Sequence, residues 1–257
     1  MIFNRNLLAL NHKRMASTFI NNSFLHHEIA LRMLDNIDIC GYSFENGLEI
    51  CGLDNFLSKA ISKKLKVKNF LTTNLVSSFE SDFVVDDEEL DFKEKSFDLI
   101  VSNLNLHFIN NLEIFLLKIN SFLSKDGIFV ASFFGEQNLS DLRNIVIDTE
   151  MSLSGSASPR FIPSIDLKMI SKLFQKAGFA NVISSLEILD VHYAEFSKLL
   201  KDIKNMGQGN ILVKKSNKFV TKKFLDEILK NYSIITKTKG LENKARFEVI
   251  IITGFKK

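Results

Sequence analysis

The stretch from Phe97 to Phe134, FDLIVSNLNLHFINNLEIFLLKINSFLSKDGIFVASFF, decides the fold. It opens with a short apolar run at Phe97–Ser102, continues with apolar residues at helical spacing over Leu112–Leu123, and closes with a second apolar run at Ile128–Phe134. Strand, helix and strand at this pace predict two parallel strands joined by a right-handed crossover. We therefore predict that Phe97–Val101 is a central, fully buried strand.

The same alternation extends towards the amino terminus. A leading amphipathic helix is predicted over Phe24–Ile37, where apolar residues recur at helical spacing. Three further apolar runs predict strands at Gly47–Cys51, Asn69–Leu75 and Phe83–Val85. A helical stretch at Phe56–Leu65 lies between the first two of them. A helix at Leu139–Met151 follows the fifth strand, whose preceding turn we assign to Asp126-Gly127. An α/β fold with a parallel sheet covered on both faces results.

The last third keeps these elements in a different order. A helix at Ile165–Ala177, ended by Gly178, precedes a strand at Asn181–Tyr193. Helices are then predicted at Phe196–Met206 and Lys218–Tyr232, before a last apolar strand at Phe247–Thr253. No linker rich in proline or glycine divides the chain. We predict one domain over 1–257, with an N-terminal helical segment at 1–40 and a helical insertion at 194–232.

Composition excludes several classes of protein. Of the 257 residues, 46% are hydrophobic and 25% charged, and no apolar run approaches the length of a membrane span. The net charge of +3 is too small and too dispersed to indicate a nucleic acid partner. Cys40 and Cys51 are the only thiols, which argues against a disulfide framework or a zinc site and predicts a reducing, cytoplasmic location. The basic, acid-free segment 1–27 has the composition of a mitochondrial presequence, but it lacks a cleavage pattern, so we do not assign a targeting role.

The loop after the first predicted strand is the first place to look for a ligand. Ligands of open parallel sheets bind outside the carboxyl ends of the strands. This loop reads Glu49-Ile50-Cys51-Gly52-Leu53-Asp54-Asn55. A nucleotide-binding loop needs glycines so that backbone N–H groups can approach the ligand, and only one is present.

Several motifs carry a family resemblance. Ser96–Leu112 resembles the fourth-strand signature of class I S-adenosylmethionine-dependent methyltransferases. Five more stretches are similar to bacterial relatives of complex I assembly factor five, a branch close to the malonyl-carrier-protein methyltransferase of biotin synthesis: Ile2–Arg5, Phe133–Arg143, Gly155–Arg160, Ala177–Phe179 and Met206–Asn210. The resemblance implies a Rossmann-like fold with a seven-stranded, mostly parallel sheet. It also implies S-adenosylmethionine as cofactor and a protein or carrier-protein substrate, with a respiratory complex subunit as a candidate partner.

The two branches imply different reactions. In the assembly-factor branch a protein side chain is modified, with arginine as a candidate, whereas the biotin branch esterifies a carrier-bound malonyl group. Gly155–Arg160 and Met206–Asn210 favour the assembly-factor branch.

The resemblance also implies the cofactor-binding residues: Glu49, Cys51, Gly52, Leu53, Asn74, Asp86, Ser102, Asn103 and Leu104. An ungapped alignment puts Cys51, Leu53 and Asn55 where the family has glycines, and Asn74 where it has the acid that holds the ribose. A one-residue deletion would instead match Cys51-Gly52 to a common Cys-Gly pair, but it would rotate the following helix. With the ungapped alignment, the substitutions would weaken cofactor binding by about 4 kcal/mol, from micromolar to near millimolar. Two hypotheses follow: an enzyme, or a non-catalytic binding module that has lost its cofactor.

Other polar residues are weaker candidates. His107 could act as a base or orienting donor, or simply pack at the sheet edge. Arg160 could bind a substrate carboxylate or position a protein chain, or lie exposed in a loop. If both contact a partner, Arg160→Ala with His107→Ala should abolish co-purification of a respiratory-complex subunit and leave the melting temperature nearly unchanged. His26-His27 is predicted to be surface, and no metal site is predicted.

Overall fold

A computed structural model gives the fold and describes residues 1–216, 220–238 and 244–257. The chain forms eight α-helices within these ranges: α1 (Arg5–Phe19), α2 (Phe24–Ile39), α3 (Phe56–Leu65), α4 (Leu112–Phe122), α5 (Ser140–Ser154), α6 (Leu167–Lys176), α7 (Phe196–Asn205) and α8 (Lys222–Thr238). The seven strands are β1 (Asn46–Ile50), β2 (Asn69–Asn74), β3 (Phe83–Val84), β4 (Phe97–Ser102), β5 (Leu123–Phe134), β6 (Asn181–His192) and β7 (Lys244–Phe255). Lys218, the predicted start of the last helix, lies outside the described residues.

The strands form one sheet in the order β3-β2-β1-β4-β5-β7-β6. All pairs from β3 to β5 are parallel, whereas β7 is antiparallel to both β5 and β6. β4 lies at the centre, and its residues are buried apart from the partly buried Asp98, whose carboxylate accepts hydrogen bonds from the backbone N–H groups of Glu45 and Asn46. The predicted fold class, the central strand and the last strand are therefore confirmed.

Two apolar layers cover the sheet, one on each face. Leu99 and Val101 of β4 point to the layer that contains α2, α3, α5, α7 and α8. Ile100 points to the opposite layer, formed with α1, α4 and α6. Side chains of successive strand residues alternate between faces, so a continuous apolar run such as β4 fits only a strand covered on both sides.

Two local predictions were incomplete. β5 begins at Leu123, not Ile128, because the pairing with β4 shifts register between Phe97 and Leu99 and accommodates Asp126-Gly127 inside the strand. Asp126 there has a left-handed φ of 62°. The second difference is α1, which the sequence pattern did not resolve within the predicted helical segment.

The far edge of the sheet depends on β7. Over its whole length β6 pairs with β7, from Asn181 opposite Phe255 to His192 opposite Lys244. No strand of the described chain pairs with the other edge of β6, and the side chains of Ile183, Leu186 and Ile188 on this strand are exposed. β7 thus joins β6 to the parallel part of the sheet.

Candidate functional site

The loop between β1 and α3 has an unusual backbone. Cys51, Leu53 and Asn55 have φ angles of 55°, 49° and 58°. This left-handed region favours glycine and costs other residues about 1–2 kcal/mol each. The three residues that the ungapped alignment places at glycine positions are thus the three left-handed ones. The loop keeps a glycine-type backbone with side chains in place of hydrogens.

The backbone N–H groups of this loop are used inside the protein. The Cys51 N–H donates to Thr73 Oγ1 at 3.2 Å, and the Gly52 N–H donates to the Thr73 carbonyl at 3.0 Å. The Leu53 N–H donates to Asn74 Oδ1 at 2.9 Å, and Asn74 Nδ2 donates back to the Leu53 carbonyl at 3.3 Å. Asn74 is fully buried. The residue predicted to replace the ribose-binding acid therefore holds the loop to β2.

Side chains from the N-terminal helices cover the loop. Phe19 packs edge-on against His26, with ring centroids 5.0 Å apart. His27 stacks on Phe56 at 3.9 Å, and its Nε2 lies 2.6 Å from Asp54 Oδ2. Burial lowers the pKa of His26 to about 3, so this imidazole is neutral. The predicted surface role is thus wrong for His26, which is 5% exposed.

Glu49 lies beneath the loop and is 2% exposed. Its Oε2 accepts a hydrogen bond from the Ser58 N–H at 3.0 Å. Burial raises its pKa from 4.5 to about 7, although the bond from Ser58 acts in the opposite direction. A Cβ added to Gly52 would lie 2.8 Å from Asn55 Oδ1 and 2.9 Å from the Glu49 carboxyl carbon, so a larger residue there would displace one of these side chains.

Asp86, one of the predicted cofactor-binding residues, is bound to the N-terminal segment. The Arg5 guanidinium contacts Asp86 at 2.7 Å and the fully buried Asp87 at 3.0 Å. Asn105 also donates to Asp87, at 3.1 Å. These contacts attach the start of α1 to the turn that follows β3.

Polar groups just after β4 also form hydrogen bonds within the protein. Asn103 donates to the His26 carbonyl at 2.8 Å and accepts from Ser132 Oγ at 2.8 Å. The Leu104 N–H donates to the same Ser132 oxygen. Ser102 is fully buried, and its Oγ has no hydrogen-bond partner among the described residues.

These contacts leave little room for a cofactor between the loop and the N-terminal helices. The cavity bounded by Phe19, His26, Glu49, Leu53 and Asn103 measures about 10 Å³. That is about one water molecule, whereas sites for small molecules and cofactors usually measure roughly 300–1,000 Å³. With α1 and α2 in this position, the predicted residues do not fit S-adenosylmethionine.

A larger cavity, of about 320 Å³, lies beyond the carboxyl ends of β4 and β5. It is bounded by α5, α7, α8 and the segments 160–164 and 206–210, and most of its lining is apolar. We call it the α5–α8 cavity. Residues from three of the motif stretches that carry the family resemblance line this cavity: Phe133–Arg143, Gly155–Arg160 and Met206–Asn210.

His107 lies in the wall of the α5–α8 cavity. Its Nε2 is 2.7 Å from Gln208 Oε1, and Gln208 Nε2 faces the Leu104 carbonyl at 3.4 Å, which orients the amide. Because an amide oxygen only accepts, we assign the ring proton to Nε2. Burial lowers the pKa of His107 to about 4, so the ring is neutral and Nδ1 is an acceptor without a partner in the described chain.

Arg160 also lines this cavity, but its charge is paired. Its Nη2 lies 2.9 Å from Glu150 Oε1, and its guanidinium lies 5.0 Å from the centre of the Phe224 ring. The side chain is 17% exposed. The interpretation of Arg160 as an exposed loop residue is therefore wrong. Arg160 connects the 158–160 segment to α5 and α8.

Several important residues were missed by sequence reasoning. Glu150 and Thr73 each form hydrogen bonds with a predicted site residue, but as ordinary polar residues they carried no motif signal. Arg5 lies in the Ile2–Arg5 motif, but no role was assigned to it. In the described ranges no group of three or more His, Cys, Asp or Glu residues could hold a metal ion. No described helix combines the length and apolar character needed to cross a bilayer.

Comparison with known proteins places these features in a family. A family model described as a methyltransferase domain matches residues 41–131. A Rickettsia prowazekii protein named "Putative methyltransferase RP459" is 35% identical over 72% of this chain and 84% of its own length. The mitochondrial arginine-hydroxylase NDUFAF5 of Danio rerio is 26% identical over 99% of this chain and 83% of its own.

Solved structures agree on the fold. The YcgJ protein of Bacillus subtilis superposes with a TM-score of 0.58 at 14% identity, covering 88% of this chain and 98% of that one. At this identity the likeness concerns the fold alone. It matches the Rossmann-like architecture of the sheet.

Proposed function

Since the chain belongs to the class I methyltransferase family, we propose that it acts on a protein or carrier-protein substrate and takes part in the assembly of respiratory complex I. S-adenosylmethionine is the cofactor of this class. The relatives named as NDUFAF5 and as malonyl-[acyl-carrier protein] O-methyltransferase support a macromolecular substrate. We further propose a cytoplasmic location.

The observation that carries the proposal is the α5–α8 cavity with His107 in its wall. The cavity is large enough for a side chain or a carrier-bound group, and it lies outside the carboxyl edge of the sheet, where ligands of this architecture bind. The neutral His107 ring lines the cavity, and its Nδ1 is buried without a partner in the described chain, so a rotation of the ring would offer this nitrogen to an O–H or N–H of the acceptor group. His107 is thus a candidate for orienting the acceptor.

The test follows transfer of a labelled methyl group from S-adenosylmethionine in an extract of cells that lack the protein. We expect label on a protein or carrier protein with the wild type, and at least tenfold less with His107→Phe. His192→Phe is the matched control, because His192 is exposed on β6, away from the cavity. Label on small molecules alone would contradict a macromolecular substrate. Unchanged complex I on a native gel of the deletion strain would contradict the link to assembly.

A second candidate function is a binding module that supports assembly without catalysis. The observation that favours it is the space of about 10 Å³ between the β1–α3 loop and the N-terminal helices, together with the internal use of the loop's N–H groups. Calorimetric titration with S-adenosylmethionine and S-adenosylhomocysteine separates the two. Affinity weaker than about millimolar, combined with rescue of complex I by the wild-type gene, favours the module. Micromolar affinity favours the enzyme and requires α1 and α2 to move.

A further inference from the structure

Among the described residues, the charged side chains that line the α5–α8 cavity are two arginines. Arg143 and Arg160 line it, and no Asp or Glu of the described chain does. In sequence, six lysines and no acidic residue lie between Asp202 and Asp226, a segment that contributes Met206, Val220 and Phe224 to the cavity wall. Clefts lined by one sign of charge attract ligands of the opposite sign. The lining therefore disfavours a cationic ligand.

The two arginines differ in their hydrogen-bond partners. Arg160 is neutralised by Glu150, as described above. Arg143, on α5, donates from Nη2 to the Glu136 carbonyl at 2.7 Å and has no carboxylate partner among residues 1–216, 220–238 and 244–257. Its remaining N–H groups are available to an anion. A guanidinium binds a carboxylate through two parallel hydrogen bonds.

The rest of the cavity suits an aliphatic chain. Its wall includes Leu142, Val146, Leu200, Ile203, Phe224 and Ile228. Such a surface favours CH₂ groups over polar ones, since burying an unpaired polar group is unfavourable.

We propose that the α5–α8 cavity binds an aliphatic carboxylate, with the chain among these apolar side chains and the carboxylate at Arg143. This cavity is the acceptor site of the proposed function. A role of the bound carboxylate as the acceptor in catalysis therefore rests on that function. Binding itself is measured without S-adenosylmethionine or an acceptor protein. The two proposals can therefore fail separately.

The experiment is calorimetric titration of the full chain with three eight-carbon ligands: octanoate, octanol and octylammonium. We expect octanoate to bind most tightly and octylammonium most weakly. Arg143→Met should weaken octanoate binding at least tenfold and leave octanol binding within twofold. Arg14→Met is the matched control, because Arg14 is exposed on α1, and it should change neither affinity.

A second variant tests the place of binding. Val146→Phe adds a ring at the cavity wall and should weaken both octanoate and octanol at least fivefold. Its melting temperature and circular dichroism establish that it folds, and Arg143→Met provides an independent answer if it does not. Three results would each overturn the proposal: no octanoate binding by the wild type, equal or tighter binding of octylammonium, and octanoate affinity unchanged by Arg143→Met.

Discussion

Replacing Arg160 with methionine tests whether the Arg160–Glu150 pair holds the cavity wall in place. The Glu150 side chain is 5% exposed and accepts hydrogen bonds from Arg160 and from both the N–H and the hydroxyl of Ser158. Burial alone would raise the Glu150 pKa, but these bonds outweigh it and lower the pKa from 4.5 to about 2. The difference corresponds to about 3 kcal/mol, and solvent screening near the surface reduces it to about 1–2 kcal/mol.

The contact with Phe224 adds about 0.5 kcal/mol, so Arg160→Met should lower the free energy of unfolding by about 2 kcal/mol at pH 7. A lowered pKa in the folded state stabilises above the unfolded pKa and loses this effect as the pH falls. The difference between wild type and variant should therefore shrink between pH 4.5 and pH 2. The sequence-based expectation of an unchanged melting temperature for the Arg160→Ala, His107→Ala variant is accordingly revised.

Urea unfolding at a series of pH values measures both effects. Arg246→Met is the control, because the Arg246–Asp190 pair is 47% and 31% exposed and should contribute less than about 1 kcal/mol. A loss below about 0.5 kcal/mol for Arg160→Met at pH 7 would refute the reasoning. So would a loss that stays constant down to pH 2.

Three further outcomes are expected. Lys66→Gly should raise the free energy of unfolding by about 1 kcal/mol in urea, because the exposed Lys66 has a φ of 56° at the end of α3, whereas Lys63→Gly inside that helix should lower it by a similar amount. Between pH 4.5 and pH 7, the free energy of unfolding of the wild type should fall by about 3 kcal/mol relative to that of Glu49→Gln, because Glu49 keeps its proton to about pH 7 in the folded state but loses it near pH 4.5 in the unfolded state. A difference between the two proteins that does not change with pH would contradict the raised pKa. Maleimide should label Cys40 before Cys51 in the native chain and both thiols in urea, because Cys51 is buried and its pKa is well above normal; equal native rates would argue against this.

The fold was largely predictable because apolar runs and their spacing are local signals. Phe97–Val101 could be assigned to the centre of the sheet since a run without alternation needs cover on both faces. The left-handed backbone of the β1–α3 loop follows from the family resemblance, because an alignment that keeps α3 in register places Leu53 at a glycine position. These predictions needed no knowledge of distant contacts.

The state of the candidate site was not predictable in the same way. Closure of the loop depends on Phe19 and His27, which lie more than twenty residues before it and carry no pattern that points there. The pairing of Arg160 depends on how the 155–164 segment folds back on α5. Such contacts arise from tertiary packing, and many residue combinations satisfy them equally well.

The position of β7 has a consequence for biosynthesis. β6 leaves the ribosome before its sheet partner, and residues 193–243 must be made in between, which takes about 3 to 10 s at ordinary translation rates. During that interval a twelve-residue strand with exposed Ile183 and Ile188 has both edges free, in the form that recruits foreign strands. Chaperone demand should therefore peak while this segment is being translated, and nascent chains stalled just short of Lys244 should be the species most prone to aggregate.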